Sequence, residues 1–267
     1  MLKKYRPAHA KNRMSNEGNT SEARRLYLLG SNRNLQFLLE NRFNWMNGFI
    51  LHHHRGLELG AGTGITKDFI QSDHFEISDF SDDPWLDHKM VDAQNTNFQN
   101  ESFDFVILSN MIHHVAKPHV LLNEVERILK PGGVVLIQEI HTSLVTKTLL
   151  RIMRHEGWDE TVNVFDPEAV CNDPGDLWSA NCSVPRMLFD DENSFKENFP
   201  NWELMHSKHA EFLTYVNSGG VVAKTAYIPL PPALLNFQLK IDQLLISRFP
   251  NIFALQRQIT LQKRRIK

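Results

Sequence analysis

Short apolar runs alternate with helical segments between Leu57 and Ile140, and this alternation is the feature that most constrains the fold. The apolar runs read GLEL, HFEIS, FDFVILS and VVLIQEI, and the segments TKDFI and HVLLNEVERIL between them have helical spacing. Near-continuous apolar strands separated by helices are typical of a parallel sheet that is covered on both faces. The sequence therefore predicts a doubly wound α/β core with a mostly parallel sheet.

The regions outside this core differ from it in composition. Residues 1–20 are polar and basic without periodicity, which predicts a flexible N-terminal arm. Residues 21–54 contain apolar positions at helical spacing and are predicted as helices that precede the first strand. Residues 142–200 are irregular and rich in Trp, Asp and Pro, which predicts an insertion or lid. We expect one main domain over 21–230.

The C-terminal part carries two further patterns. The segments NWELMHSKHAEF and GGVVAKTAYIPL flank the pair Gly219 and Gly220, which predicts two final strands joined by a turn. Residues 231–267 are predicted as a C-terminal helical extension, because four apolar residues fall on one helical face: Leu234, Phe237, Ile241 and Leu244. Its tail adds the basic residues Arg257, Lys263, Arg264, Arg265 and Lys267.

Charge and composition exclude several classes of function. The net charge of −2 over 267 residues gives no field that attracts nucleic acid. The two cysteines show no metal-ligand spacing, and the consecutive histidines 52–54 cannot converge on one ion from a helix, so no metal site is expected. Because the sequence lacks an apolar N-terminal segment and a run of membrane-spanning length, it predicts a cytoplasmic protein.

A glycine-rich turn follows the first predicted strand. It has the pattern E-x-G-x-G-x-G from Glu58 to Gly64, and glycines at alternate positions indicate a turn that lies close to a ligand. A dinucleotide fingerprint would place its third glycine at Ile65, where this sequence has none. The second acid, Asp79, ends the run FEISD, where a carboxylate can accept hydrogen bonds from both hydroxyls of a ribose.

Five motifs in order resemble the class I S-adenosylmethionine-dependent methyltransferases of the small-molecule, type 11-like group. They are the glycine turn, SDFSDDPWL, VDAQ, ESFDFVILSNMIHHV and ERILKPGGVVLIQE, over roughly residues 56–140. The resemblance implies a Rossmann-like seven-stranded sheet, with S-adenosylmethionine as cofactor and S-adenosylhomocysteine as product. It also implies these cofactor-binding residues: Glu58, Gly60, Ala61, Gly62, Gly64, Asp79, Phe80, Asp92, Ala93 and Asn110.

Two histidines follow the fourth strand of the core, in SNMIHHV. A hydroxyl acceptor must lose its proton as it attacks the methyl group, and histidine is suited to accept that proton near neutral pH. His113 and His114 are therefore the candidate catalytic bases, and a packing or capping role is the alternative. Glu139 and His141, at the end of the fifth strand, open into the same crevice and are candidates to orient the base or contact the acceptor.

The predicted function is methyl transfer to an oxygen or nitrogen of a small molecule, such as a sugar, a lipid-linked glycan or a secondary metabolite. The alternatives are a non-catalytic cofactor-binding or scaffold protein and a protein or nucleic-acid methyltransferase. A nucleic-acid partner is not expected, because no basic stripe is present. The C-terminal extension is predicted to pack on its own core, to self-associate or to contact an anionic membrane surface.

Overall fold

The structure is a computed structural model that describes residues 3–7, 19–154, 156–176, 178–222 and 224–265. The strands are β1 (Lys4–Tyr5), β2 (Arg55–Leu59), β3 (His74–Ser78), β4 (Phe103–Ser109), β5 (Leu129–Ile140), β6 (Trp158–Asp159), β7 (Trp202–Ala210) and β8 (Gln256–Lys263). The α-helices are α1 (Thr20–Leu28), α2 (Arg33–Phe43), α3 (Pro118–Ile128), α4 (Leu144–Met153), α5 (Val184–Phe189), α6 (Glu192–Asn198), α7 (Leu213–Val216), α8 (Pro232–Arg248) and α9 (Pro250–Phe253).

The main sheet has the strand order β3-β2-β4-β5-β8-β7. Strands β3, β2, β4 and β5 are parallel, and β8 pairs antiparallel with both β5 and β7. The four parallel strands contain the four apolar runs of the sequence, which confirms the α/β prediction. Within the described residues the sheet has six strands where seven were expected.

Both faces of the sheet are covered by helices. Alternate residues of β2, β4 and β5 point to opposite faces, so that Leu108 packs with α3 and α5 while Ile107 packs with α2. On the second face, the buried apolar residues of α2 are Leu35, Leu38, Leu39 and Phe43. Helix α2 begins at a clear cap, because the Asn32 side chain accepts a hydrogen bond from the Leu35 N–H at 3.0 Å.

The last strand differs from the prediction of a purely helical C-terminal extension. Strand β8 lies inside the main sheet between β5 and β7, and it is almost wholly buried. The predicted strand GGVVAKTAYIPL is wrong, since its described residues, 219–222 and 224–230, form no strand. Arg257 and Lys263 are likewise buried within β8 and do not belong to an exposed basic tail.

The N-terminal arm is partly ordered. Strand β1 pairs antiparallel with β6 in the insertion, and Lys4 Nζ lies 2.8 Å from Oδ2 of Asp159. Arg6 Nη2 donates to the Cys171 carbonyl at 2.6 Å. The prediction of a flexible arm is therefore wrong for residues 3–7, because the insertion offers them a strand and a carboxylate. The rest of the predicted arm, residues 1–2 and 8–18, lies outside the described residues.

Helix α8 carries the predicted apolar face, and much of this face is exposed. Its side chains Leu234, Phe237 and Leu244 are 49%, 60% and 61% exposed, whereas Leu235 and Ile246 are buried. Only one side of the helix therefore packs on the protein. None of the helices in the described ranges combines the length and apolar character that crossing a bilayer requires.

Candidate active site

The glycine turn connects β2 to a short 3₁₀ turn at Ile65–Asp68, where a longer helix was predicted from TKDFI. Gly60, Gly62 and Gly64 all have positive φ angles, 73°, 49° and 65°, which side chains with a Cβ rarely adopt. A Cβ on Gly60 would lie 2.9 Å from Cβ of Met111, so this glycine is also required for packing. Gly62 is more open, since a Cβ there would meet only one side-chain atom within 4 Å, at 3.6 Å.

Glu58 lies beneath this turn at the end of β2 and is 1% exposed. Its Oε1 accepts a hydrogen bond from the Thr66 hydroxyl at 2.9 Å, and its Oε2 has no hydrogen-bond partner among the described residues. Burial and the nearby charge of Asp79 raise the pKa of Glu58 to about 8, against the lowering effect of the Thr66 hydrogen bond. The site thus contains a buried carboxyl group with one oxygen available to a donor.

The Asp79 carboxylate accepts hydrogen bonds from the glycine turn and from the segment that follows β3. Its Oδ2 accepts from the Gly62 N–H at 2.8 Å, and its Oδ1 accepts from the Ser81 N–H at 2.9 Å. The Val91 N–H donates to the Asp79 carbonyl at 2.9 Å. This bond brings the neighbours of Val91, Asp92 and Ala93, to the same edge of the sheet.

Several predicted cofactor residues lie around this carboxylate. The Phe80 side chain is 45% exposed beside Asp79, and Asp92 is exposed with Oδ1 accepting from the Gln94 N–H at 2.9 Å. Asn110 follows β4 with a φ of 51°, and its N–H donates to the Gln138 carbonyl at 2.7 Å. The predicted residues therefore collect at the carboxyl ends of three adjacent strands, β3, β2 and β4.

Three residues that cover the glycine turn were missed from the sequence. Arg24 of α1 donates to the Thr63 carbonyl at 2.8 Å, and Trp85 Nε1 donates to the Gly62 carbonyl at 2.9 Å. The Arg24 guanidinium also lies 5.2 Å from the centre of the Trp85 ring. Thr20 supplies the methyl group nearest to Gly62. An arginine in an N-terminal helix and a tryptophan in a loop give no local pattern that predicts these contacts.

His113 and Glu139 form a buried pair at the ends of β4 and β5. Nδ1 of His113 lies 2.6 Å from Oε2 of Glu139, and Oε1 of Glu139 accepts from the Ile112 N–H at 2.6 Å. His113 is 4% exposed and Glu139 is fully buried. Burial lowers the pKa of His113, but the charge and hydrogen bond of Glu139 outweigh burial and raise the pKa above its ordinary value.

His114 stands beside this pair in a different environment. Its ring centre is 4.2 Å from that of His113, and its Nδ1 lies 3.1 Å from the Ser179 carbonyl oxygen of the insertion. Burial and the charge of His113 lower the pKa of His114 to about 4. Glu156, also in the insertion, lies near the Nε2 atoms of His113 and His114 at 4.0 and 3.8 Å. The insertion therefore contributes Ser179 and Glu156 to the surroundings of the two histidines.

A family model described as a methyltransferase domain matches residues 4–173, more than half of the chain. The chain belongs to this family. The class I resemblance and S-adenosylmethionine as the cofactor of this methyltransferase domain are thereby confirmed.

Curated relatives match parts of this chain. Demethylmenaquinone methyltransferase from Clavibacter sepedonicus is 32% identical over 167 residues, which cover 57% of this chain and 62% of that protein. Fusarin C synthetase from Gibberella moniliformis is 32% identical over 126 residues, covering 38% of this chain. The matched part of this chain spans only 3% of the length of that synthetase. A solved S-adenosylmethionine-dependent methyltransferase from Archaeoglobus fulgidus has a TM-score of 0.49 at 15% identity and covers 85% of this chain and 93% of that chain.

Proposed function

We propose that this chain transfers a methyl group from S-adenosylmethionine to an oxygen or nitrogen of a small-molecule acceptor. The single observation that carries the proposal is the 2.6 Å contact between His113 Nδ1 and Glu139 Oε2. This pair lies at the carboxyl ends of β4 and β5, next to the glycine turn that follows β2. In an open α/β sheet ligands bind outside these strand ends, so cofactor and base share one crevice.

The residues around the glycine turn fit the cofactor. Each oxygen of Asp79 accepts one backbone N–H, and a carboxylate offers about four lone-pair positions, so both ribose hydroxyls can still be bound. The unpartnered Oε2 of Glu58 is suited to a donor such as the cofactor's ammonium group. Phe80 is exposed at the position that would flank the adenine, with Asp92 and Ala93 beside it.

The remaining predicted residues of the glycine turn, together with Asn110, also fit the cofactor. The open face of Gly62 lets a ligand approach the backbone, and the positive φ angles of Gly60, Gly62 and Gly64 shape the turn, which also contains Ala61. Asn110 lies after β4, where its side chain can reach the methionine end of the cofactor. We therefore retain all ten predicted cofactor-binding residues as proposals.

When bound, the cofactor supplies the methyl group and a thioether leaving group. His113 would take the proton of the acceptor on Nε2, because its Nδ1 is held by Glu139. The Glu139 carboxylate would stabilise the imidazolium that forms. His114 is a weaker base, since its pKa is lowered to about 4, and its contact with the Ser179 carbonyl fits a positioning role.

A second candidate acceptor is an acidified carbon atom. The base arrangement suits this reaction equally, because a carbon between electron-withdrawing groups also loses a proton as it gains a methyl group. Two of the curated relatives support this candidate, since one is named as a highly reducing polyketide synthase and another as a demethylmenaquinone methyltransferase. A polyketide chain or a quinone precursor is then the acceptor class.

The exposed apolar side chains of helix α8 are relevant to the partners that the chain could bind. The exposed Leu234, Phe237 and Leu244 support self-association or peripheral membrane contact through α8. Arg257 and Lys263 do not add to a membrane-binding charge, because they are buried in β8.

The test is formation of S-adenosylhomocysteine from the cofactor and a panel of hydroxyl, amine and activated-carbon acceptors. Mass spectrometry and nuclear magnetic resonance of the product would identify the methylated atom. We expect turnover with at least one class and at least a hundredfold loss in His113→Gln, in keeping with the roughly 10²–10⁴-fold contribution of a general base. Cofactor binding without turnover on any acceptor would favour the non-catalytic alternative.

A further inference from the structure

A second histidine cluster lies away from His113. His141 follows β5, His209 lies near the end of β7, and Asp190 follows α5. The centres of the two imidazole rings are 4.4 Å apart with an angle of 76° between their planes. One potential ligand atom from each of the three residues lies within 4.8 Å of the others.

The two histidines lack hydrogen-bond partners that their burial would require. His141 is 1% exposed, yet neither of its ring nitrogens has a hydrogen-bond partner among the described residues. The same holds for Nε2 of His209. A buried polar group without a partner destabilises a fold, so these nitrogens favour a bound group at this site.

Each imidazole also offers a donor atom for a metal ion. A neutral imidazole has one nitrogen with a free lone pair, and the unpartnered ring nitrogens of His141 and His209 can supply it. A carboxylate completes the set.

We propose that His141, His209 and Asp190 bind a divalent transition-metal ion of the zinc type. Two imidazoles and a carboxylate suit Zn²⁺, Co²⁺ and Ni²⁺, and three protein ligands leave a coordination position open. The proposal goes beyond the methyl-transfer site and does not depend on it.

Nearby positive charges set the expected strength of binding. Arg257 Nη1 contacts Oδ1 of Asp190, and Arg186 Nε donates to its Oδ2 at 3.0 Å. Each carboxylate oxygen keeps a second lone pair for a metal, so these bonds do not block ligation. They do reduce the affinity for a cation. Removing the half-exposed Arg186 should therefore tighten metal binding.

The cluster lies close to the proposed active site but is separate from it. His209 pairs with Arg257 of β8, which in turn pairs with Glu139 of β5. Residues paired in this way point to the same face of the sheet, and two strand spacings place His209 about 10 Å from Glu139. The metal would thus sit on the acceptor side of the sheet without using His113.

The test is titration of the untagged, chelator-treated full chain with Co²⁺ and, by calorimetry, with Zn²⁺. We expect one equivalent to bind with visible cobalt absorption bands. His141→Ala and His209→Ala should each weaken binding more than tenfold, while Arg186→Gln should strengthen it severalfold. The matched control is His206→Ala on the same strand, because His206 contacts Trp45 and should leave binding unchanged.

Circular dichroism would establish that each variant is folded, and the gain expected from Arg186→Gln cannot arise from unfolding. Absence of metal binding by the wild-type chain would overturn the proposal. So would binding that survives His209→Ala and is lost in His114→Ala, because the metal would then belong to the group formed by His113, His114 and Glu156. None of these measurements requires methyl transfer, so the outcome is independent of the proposed activity.

Discussion

Glu139 binds His113 Nδ1 through one carboxylate oxygen and the Ile112 backbone N–H through the other, each at 2.6 Å. A single buried side chain of β5 therefore fixes both the imidazole and the backbone of the loop that carries it. This double contact sets the direction of Nε2, and the charge and hydrogen bond of Glu139 raise the pKa of His113 against the lowering effect of burial.

We expect the rate of methyl transfer to fall at low pH as His113 becomes protonated. Because its pKa is raised, the acid limb of kcat/KM should lie above pH 6.5. Glu139→Gln removes the raising charge, so the limb should move to lower pH while the maximal rate falls. His119→Gln, on the following helix, is the control and should leave the profile unchanged. An unmoved limb in Glu139→Gln would count against His113 as the base.

Asp79→Ala should weaken cofactor binding by more than about tenfold, or ~1.4 kcal/mol. The substitution removes a ribose acceptor and also releases the Gly62 N–H, so both effects act in the same direction. Calorimetry with S-adenosylhomocysteine measures the change. Asp82→Ala, an exposed acid of the same segment, should bind as the wild type does. A dissociation constant for Asp79→Ala equal to that of wild type would refute the ribose assignment.

Glu58 should make the cofactor-free protein less stable as the pH rises from about 4.5 to about 8. Its folded-state pKa is raised to about 8, so over this range the folded chain holds a proton that the unfolded chain has lost. The free energy of unfolding therefore decreases with pH, by linkage on the order of 2–4 kcal/mol. Glu58→Gln should lack this contribution. Urea titrations at pH 5 and pH 8.5 measure the free energy of unfolding of both proteins. Relative to wild type, the variant should be more stable at pH 8.5 than it is at pH 5. A stability difference that is the same at both pH values would contradict the prediction.

Arg42→Ala should destabilise the fold by about 3–5 kcal/mol, because it leaves Glu211 buried without its cation. Arg42 Nη2 lies 2.5 Å from Oε2 of Glu211, and the two side chains are 4% and 6% exposed. Chemical denaturation measures the loss. Arg25→Ala removes an exposed pairing with Glu22 and should have little effect. Comparable losses in the two variants would show that burial does not govern this pair.

The core strands could be predicted because their apolar runs are continuous and local. The contact between His113 and Glu139 could be predicted in part, since His113 follows β4 and Glu139 lies near the end of the adjacent parallel strand β5. The hypothesised metal cluster could not be foreseen, because His141, Asp190 and His209 are far apart in sequence and come together only through the order of β5, β8 and β7.

Strand β8 was missed for a different physical reason. Its sequence, QRQITLQK, is polar at six of its eight positions, and several of these side chains bond to residues far away in the sequence. Gln262 donates to the Gly132 carbonyl at 2.9 Å, and Lys263 donates to the Leu129 carbonyl at 2.8 Å. The segment GGVVAKTAYIPL is the opposite case, because it was predicted as a strand and its described residues form none. Its β-branched residues favour a strand, but its backbone instead bonds to Asn34 and Asn217.

The inner position of β8 has a consequence for biosynthesis. Chains emerge from the ribosome starting at the N-terminus, so β5 and β7 are both made before the strand that joins them. Until residues 256–263 arrive, each of these two strands has an open hydrogen-bonding edge of the kind that promotes aggregation. In a nascent chain halted before this segment, β7 would have no partner strand in the main sheet, and we expect that form to depend on chaperones to stay in solution.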